Sequence, residues 1–548
     1  MLFYYFKSLM LVVSLFIIPT FIQAAVILEG TETLAGPNFV LNTTLGQQVG
    51  ANLFYRFQSL NIESTESITF TNSVEIETII ILVMGEQSNL DGLLKSEIPN
   101  ANFYFLNPKG ITFGPHAKIE VPASLSISTA AYLKLSDGNL FEATTPNTLL
   151  TGSSPNAFGF LDTPAPIIIE GSQLVLNDIP KTIDEQISTL SWIAGEITLK
   201  NGTLLTSNQD IKLVSLATSG EISVEKMDFT GIFGSIQLEN SGISTLTEDN
   251  QQSGKITLLT NQLSLIENSL ISSFGAGHVS IQANEVQLKS SIISTTSDII
   301  LNLNKLKMQN SSVQTLSTLA DGGNINIKAN EVQLKSSIIS TTAEFQGNTG
   351  NIMLILNKLN MQNSSVQTLS TLADGGDIII MTSGPLYLID SEITTRIEGE
   401  NSGGGNITIL AKFIVLDGGY IIAHAQGEYG GNININTKTN MIYSNCLTLT
   451  PELNANLHIS CVEVSDTQYQ GEFTLIDMAN FIFELNPTTL KESNIKGNAP
   501  FISCGTFSEN VMHLHCIRID DTFWWADLEW INQNPIQFQL TKQFGLLE

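Results

Sequence analysis

Between residues 195 and 437 one pattern recurs: Gly, then a strand in which apolar and polar side chains alternate. GEITL at Glu196, GEISV at Glu221, GSIQL at Ser235, GKITL at Lys255, GHVSI at His278, GNINI at Asn324, GNIML at Asn351, GDIII at Asp377, GNITI at Asn406 and GNINI at Asn432 share it. Most steps fall between about 20 and 30 residues, the range of solenoid repeats. The long step from His278 to Asn324 is filled by Asp298, which lacks the preceding Gly. A second strand follows most first strands, as at Val286, Leu306, Leu359 and Leu386. A recent duplication lies on top: residues 283–294 and 329–340 are identical, as are 309–323 and 362–376.

Alternation with period two places Ile325 and Ile327, or Val286 and Leu288, on one side and Asn or Lys on the other. No helix-period run of useful length interrupts these strands, which counts against an α/β barrel. The pattern predicts an all-β, right-handed parallel β-helix in which each coil covers the one before it. The Gly pairs at 322–323, 375–376 and 430–431 are expected at corners that need positive φ, and stacked Asn and Ser at turns are expected to form side-chain ladders.

The chain has 548 residues, with 52 acidic against 24 basic side chains and a formal charge of −28. Nucleic acid is excluded as a partner, because such binding needs basic side chains to displace counterions from phosphates. Lys7, an apolar run from Leu9 to Ile18, and the small pair Ala24-Ala25 follow the order of a secretory signal peptide, assigned to residues 1–24. Cys446, Cys461, Cys504 and Cys516 all lie in the last fifth of the chain, and an even count in an exported protein reads as two disulfides.

Residues 441–548 form a second duplication. Aligning Cys461 with Cys516 brings Asp466 to Asp521, Thr467 to Thr522 and Tyr469 to Trp524 without a gap. Each copy carries one upstream cysteine, so Cys446–Cys461 with Cys504–Cys516 is favoured over the two other connectivities. Phe523 and Trp525 stand on a strand face that is polar in the first copy. They are candidate ligand contacts, with packing against the rest of the tail as the plainer reading.

The segment that follows the signal contains Asn52-Leu53-Phe54, Asn89-Leu90-Asp91-Gly92, Asn107-Pro108-Lys109-Gly110 and Phe113-Gly114-Pro115 in this order. It resembles the secretion domain of filamentous haemagglutinin-type proteins, the exported members of two-partner secretion systems. The resemblance implies a capped right-handed β-helix recognised by the polypeptide-transport-associated domains of an outer-membrane β-barrel transporter. It assigns residues 25–165 to the secretion domain, 166–440 to the β-helix repeats and 441–548 to the tail. It makes Asn107, Pro108, Lys109, Gly110, Asn89, Asp91 and Gly92 the candidate recognition residues. Lys109 departs from the family's Asn-Pro-Asn-Gly. Read without the family, Asn-Pro-x-Gly is turn chemistry between two strands.

Catalytic signals are weak. β-helical polysaccharide lyases resemble one another in using Ca²⁺-binding carboxylates and a basic Arg or Lys, and of the three arginines only Arg396 falls in the coils. Asp527 and Glu529, two apart on a strand, sit roughly 6.5–7 Å apart, a spacing common to many surface strands. His513, His515 and Cys516 lack a second ligand pair for Zn²⁺. Asp321-Gly-Gly, Asp374-Gly-Gly and Asp417-Gly-Gly are turns without the nonapeptide Ca²⁺ repeat. The expectation is an exported adhesin or surface-interaction protein with no cofactor, metal or catalytic residue, acting outside the cell, whether released or retained there. Its partners would be the transporter and a surface carbohydrate or a host or cell-surface protein. The alternative is a secreted β-helical polysaccharide lyase or hydrolase; a toxin-delivery stalk is a third class that the tail weakly opposes.

Overall fold

The computed structural model describes residues 26–437, apart from 31–32, 72–74, 143–148, 177–187, 248–253, 319–320, 345–346, 373, 398–404, 418 and 426–432; beyond these it describes the strands 441–444, 457–461, 474–475, 505–507, 514–519 and 522–527. Every regular element among them is a β-strand. The chain winds as a parallel β-solenoid with three strand-bearing faces.

The first face is an 18-stranded sheet that includes Asn52–Leu60, Thr78–Val83, Val279–Gln282, Ile325–Lys328 and Ile407–Ala411. The second is a 14-stranded sheet that includes Ser88–Leu90, Ile111–Phe113, Glu285–Lys289 and Glu331–Lys335. The third begins as a four-stranded sheet (Asn38–Leu41, Ser67–Phe70, Leu93–Ser96, Lys118–Glu120) and resumes as a 10-stranded one from Gln173–Leu176 onward.

The alternation sets the core. Val279, Ile299, Ile325, Ile352, Ile378, Ile407 and Ile433 stack in register down the first face, and all are buried. Val286, Leu306, Val332, Leu359, Leu386 and Ile414 do the same on the second. Each such side chain is worth roughly 1.5–3 kcal/mol when covered, so a coil is stable only with neighbours. The strand Ile299–Asn302 pairs between Val279–Gln282 and Ile325–Lys328, so the step without a Gly is a full coil. Nearer the N-terminus the interior is aromatic: Tyr55, Phe70 and Phe103 meet edge to face, and Trp192 stacks on Phe113 at 5.3 Å.

Polar columns mark the corners. Asp298, Asn324, Asn351 and Asp377 each accept, through Oδ1, the backbone N–H of the residue one coil on, at 2.7–2.9 Å. Buried Ser291, Ser311, Ser337, Ser364 and Ser391 each donate to the carbonyl two residues earlier. Each of their hydroxyls but that of Ser291 also accepts the N–H of the serine one coil before. Inside, Thr315, Thr341, Thr368 and Thr395 donate to the carbonyls of Gly323, Gly350, Gly376 and Gly405.

Two expectations are corrected. Gly322, Gly323, Gly375 and Gly376 do not adopt positive φ; residues 430–431 lie outside the described ones. They are small because backbone lies on backbone: a Cβ on Gly323 would collide with the Ser297 carbonyl, and one on Gly376 with that of Gly350. Positive φ falls instead at the corner before the serine column, on Asn240, Asn268, Ser290, Asn310, Ser336, Asn363 and Asp390, mostly residue types that tolerate the left-handed region. Second, the Gly-plus-strand motifs are not equivalent. Ile197–Lys200 and Ser235–Glu239 lie on the second face. Gly220–Ser223 leaves the coils to pair antiparallel with Pro155–Phe160, while the first-face strand of that region, Asp210–Ser215, has Gln209 where a Gly was expected.

That excursion builds a four-stranded antiparallel sheet (Tyr132–Leu135, Leu140–Glu142, Pro155–Phe160, Gly220–Ser223). It covers the outer side of the first face through Phe141, Phe158 and Ile222, which pack in one cluster with Phe54, Ile80, Leu82 and Leu106. Thr78–Val83 is consequently buried on both sides. The strands Val26–Leu28 and Gln47–Val49 pair antiparallel with Asn52–Leu60 and close the N-terminal end. Past residue 440, Met441–Ser444 and Leu457–Cys461 keep the parallel register of the coils before them.

The close backbone stacking generates a test. Gly350→Ala places a Cβ against the Gly323 carbonyl and is expected to lower stability by about 1–3 kcal/mol. Gly242→Ala, whose new Cβ meets nothing nearer than 3.7 Å, should stay within about 0.5 kcal/mol. Urea unfolding of the two variants of the full chain compares them directly.

Candidate functional site

The motifs of the N-terminal region come together on two consecutive coils. Asn89 and Thr112 are partners in the parallel register of Ser88–Leu90 with Ile111–Phe113, so the turn Asn107–Gly110 and the corner Asp91-Gly92 flank the same pair of strands.

Asn107 is fully buried. Its Nδ2 donates to the Glu86 carbonyl and to Ser88 Oγ, both at 2.9 Å, while its Oδ1 accepts the Lys109 N–H at 2.8 Å. The Gly110 N–H returns to the Asn107 carbonyl at 3.1 Å. Gly110 sits at φ +109°, with the Pro166 carbonyl 3.3 Å from where a Cβ would stand, so this position needs glycine for both conformation and space. All four hydrogen-bonding atoms of Asn107, backbone and side chain, are used within the fold. Pro108 is half-buried and Lys109 points to solvent.

Asp91 clamps the next coil. Its Oδ1 accepts the His116 N–H at 2.7 Å and its Oδ2 lies 3.1 Å from His116 Nδ1. A side chain at Gly114 would run into this carboxylate, so the Phe113-Gly114-Pro115 motif and the Asn89–Gly92 motif are two halves of one contact. Gly92 is buried beneath the carbonyls of Glu63 and Glu66, where a Cβ has no room. Asn89 is exposed; its N–H donates to Asn61 Oδ1 and its carbonyl accepts the Ile62 N–H. Asn61 was not singled out in the sequence. Its role depends on which coil lies below it, which local spacing does not carry.

The cap side holds the remaining motif. Buried Asn52 donates to the carbonyls of Thr151 and Ser153, tying the first long strand to the connection between two strands of the outer sheet, Leu140–Glu142 and Pro155–Phe160. Arg56 donates to the Glu142 carbonyl at 2.7 Å, lies 3.9 Å from Glu29 and places its guanidinium 4.6 Å from the Phe141 ring centre. Burial pushes its pKa down, against the opposing pull of Glu29 and Glu142. A cleft between Leu28, Thr44, Gln47, Arg56, Phe141 and Leu150 opens beside it.

The enzyme alternative looked to carboxylates gathered around Arg396. In the parallel register its neighbours are Leu369 and His424. Asp321 Oδ1 accepts the Asn348 N–H, and Asp377 Oδ1 accepts the Asn406 N–H, so these acidic turns are used as caps. Among the described residues no group of three or more His, Cys, Asp or Glu is placed to hold a metal. In the tail, Thr522–Asp527 pairs antiparallel with Leu514–Ile519, with Trp525 opposite Cys516 and Phe523 opposite Arg518. Cys446, Cys504, His513 and Glu529 lie outside the described residues, as do residues 1–24, and the side chains of Cys461, Cys516, Phe523 and Trp525 are not described.

Residues 33–272 match the model of the TPS (two-partner secretion) secretion domain, a match that runs beyond residue 165 into the coils. Among solved structures the chain is similar to the crystal structure of the HMW1 secretion domain from Haemophilus influenzae, with 14% identity, a TM-score of 0.36, and coverage of 80% of this chain and 98% of that one. No curated protein matches.

The turn geometry separates two adjacent motif residues. Asn107→Ala leaves buried partners unsatisfied and is expected to cost about 1–3 kcal/mol. Lys109→Ala should change stability by no more than about 0.5 kcal/mol. Thermal unfolding of both full-length variants reads the difference.

Proposed function

We propose that this chain, whose residues 33–272 match the two-partner secretion domain, is an exported protein of that type, that an outer-membrane β-barrel transporter reads its N-terminal coils through polypeptide-transport-associated domains, and that the delivered chain acts as an adhesin or surface-interaction protein. Export through the outer membrane to the surface or the extracellular space follows from the secretion domain itself. The observation that carries the recognition part is the pairing of internally used and outward-facing residues in the same motifs. Asn107, Asp91 and Gly92 hold two coils in register, and this presents Asn89, Pro108 and Lys109 at the surface beside them.

The adhesive part is supported by long, regular outer faces on a rigid rod, and by an acidic, soluble exterior suited to life outside the cell. A polysaccharide lyase or hydrolase is the less favoured reading, since Asp321 and Asp377, two of the acidic turn residues it would draw on, accept backbone N–H groups of the neighbouring coil.

Expressing the gene with and without its candidate transporter, and assaying the mature chain outside the cell, tests the export step. Release is expected only with the transporter. Asn89→Ala combined with Lys109→Ala should lower release at unchanged unfolding midpoint, whereas undiminished release would remove these residues from the recognition surface.

A further inference from the structure

The duplication noted in the sequence has a surface consequence. Residues 285–289 and 331–335, both EVQLK, are second-face strands two coils apart, with KLKMQ (305–309) between them and KLNMQ (358–362) after them. Their outward residues form three rows: Glu285–Lys305–Glu331–Lys358, Gln287–Lys307–Gln333–Asn360, and Lys289–Gln309–Lys335–Gln362. These rows hold five lysines and two glutamates, in a chain whose acidic residues outnumber its basic ones by more than two to one. A shallow groove runs between the second and third rows, lined by Gln287, Lys307, Gln309, Gln333, Lys335 and Gln362.

We propose that this groove binds an acidic polysaccharide carrying one carboxylate on every second sugar. Three features of the groove point to that ligand class. Coils stack about 4.7–4.9 Å apart, so Lys289 and Lys335, two coils apart in one row, present ammonium groups at roughly twice that spacing, comparable to the advance of an extended disaccharide. Between them in the row stands the amide of Gln309, and Gln333, Asn360 and Gln362 add further amides beside it, groups that donate to and accept from sugar hydroxyls. The ammonium of Lys307, which lines the groove from the second row, is held toward the first row by Glu285 at 2.6 Å, and that of Lys305 is held within the first row by Glu331 at 2.7 Å; Lys289 and Lys335 are the exposed cations of the third. At the C-terminal end of the middle row, half-buried Tyr387 is braced edge to face by Phe413, and the Lys358 ammonium of the first row lies 5.6 Å from its ring centre. A locally basic strip on an acidic rod also selects orientation, since a polyanion is repelled elsewhere along the surface.

This deepens the surface-interaction reading and rests on it for its biological setting only; the binding is measured on purified full-length chain, so its failure leaves the export reading intact. Immobilised hyaluronan serves as probe, with neutral dextran, polygalacturonate (a carboxylate on every sugar) and polyglutamate for comparison, at low and at physiological salt. The wild type is expected to retain on hyaluronan more strongly than on the other three, and more weakly as salt rises. Lys289→Gln with Lys335→Gln should weaken retention roughly five- to tenfold, the scale of two exposed charge pairs, with an unchanged unfolding midpoint. Lys212→Gln with Lys328→Gln, the same charge change on the first face, should leave it intact. No retention of the wild type, equal retention on polyglutamate, or equal loss in both double variants would each overturn the proposal.

Discussion

Everything in this molecule depends on one coil lying flat on the last. The backbone hydrogen bonds of each strand are completed only by the strand above and below, and the inward Ile, Leu and Val are dry only when covered on both sides. That constraint explains the glycines, because where Gly323, Gly350, Gly376 and Gly405 stack there is no room for a Cβ. It also explains the buried hydroxyls. Thr341 and Ser337 sit where interior and corner carbonyls are within reach, so their own hydroxyls, buried by the next coil, are satisfied by Gly350 and Lys335.

The same constraint exposes two ends. At the N-terminus the end is closed by antiparallel strands and by aromatic filling, with Tyr55, Phe70 and Phe103 in contact. The outer antiparallel sheet then seals the apolar outer side of the first face around Ile80 and Leu106. The stretch that matches the secretion-domain model, residues 33–272, thus contains most of the cap, the outer sheet and the first coils, a unit that offers each later coil a finished surface to fold upon. Its motifs are stitches between coils: Asp91 to His116, Asn107 to Glu86 and Ser88, Asn52 to Thr151 and Ser153.

The solenoid was legible because period-two alternation and a recurring step are local properties. Ile325 and Ile327 face inward as their spacing requires. What local pattern does not carry is which coil a strand joins. GEISV at Glu221 has the same text as true coil strands, yet it pairs antiparallel in the outer sheet, while Asp210–Ser215 without its Gly is a coil strand. The reason for the Gly pairs was likewise hidden, since a glycine needed for left-handed backbone and one needed for close approach look alike in sequence. At the site, the Asn-Pro-x-Gly turn was readable from its residues. The Asp91–His116 clamp was not, because it joins residues 25 apart whose meeting depends on the length of one coil.

If folding of each emerging coil on its predecessor supplies the outward bias for export, where no nucleotide is available, then breaking one rung should stall the chain at that rung. The direct measurement is release, in the presence of the transporter, of chains carrying a single inward Ile→Asn at successive rungs, Ile211, Ile281, Ile327 and Ile380, with protease mapping of what remains. The account predicts reduced release for each, with a protected N-terminal fragment that lengthens as the substitution moves toward the C-terminus. Full release of all four chains, with protection independent of the substituted rung, would contradict it.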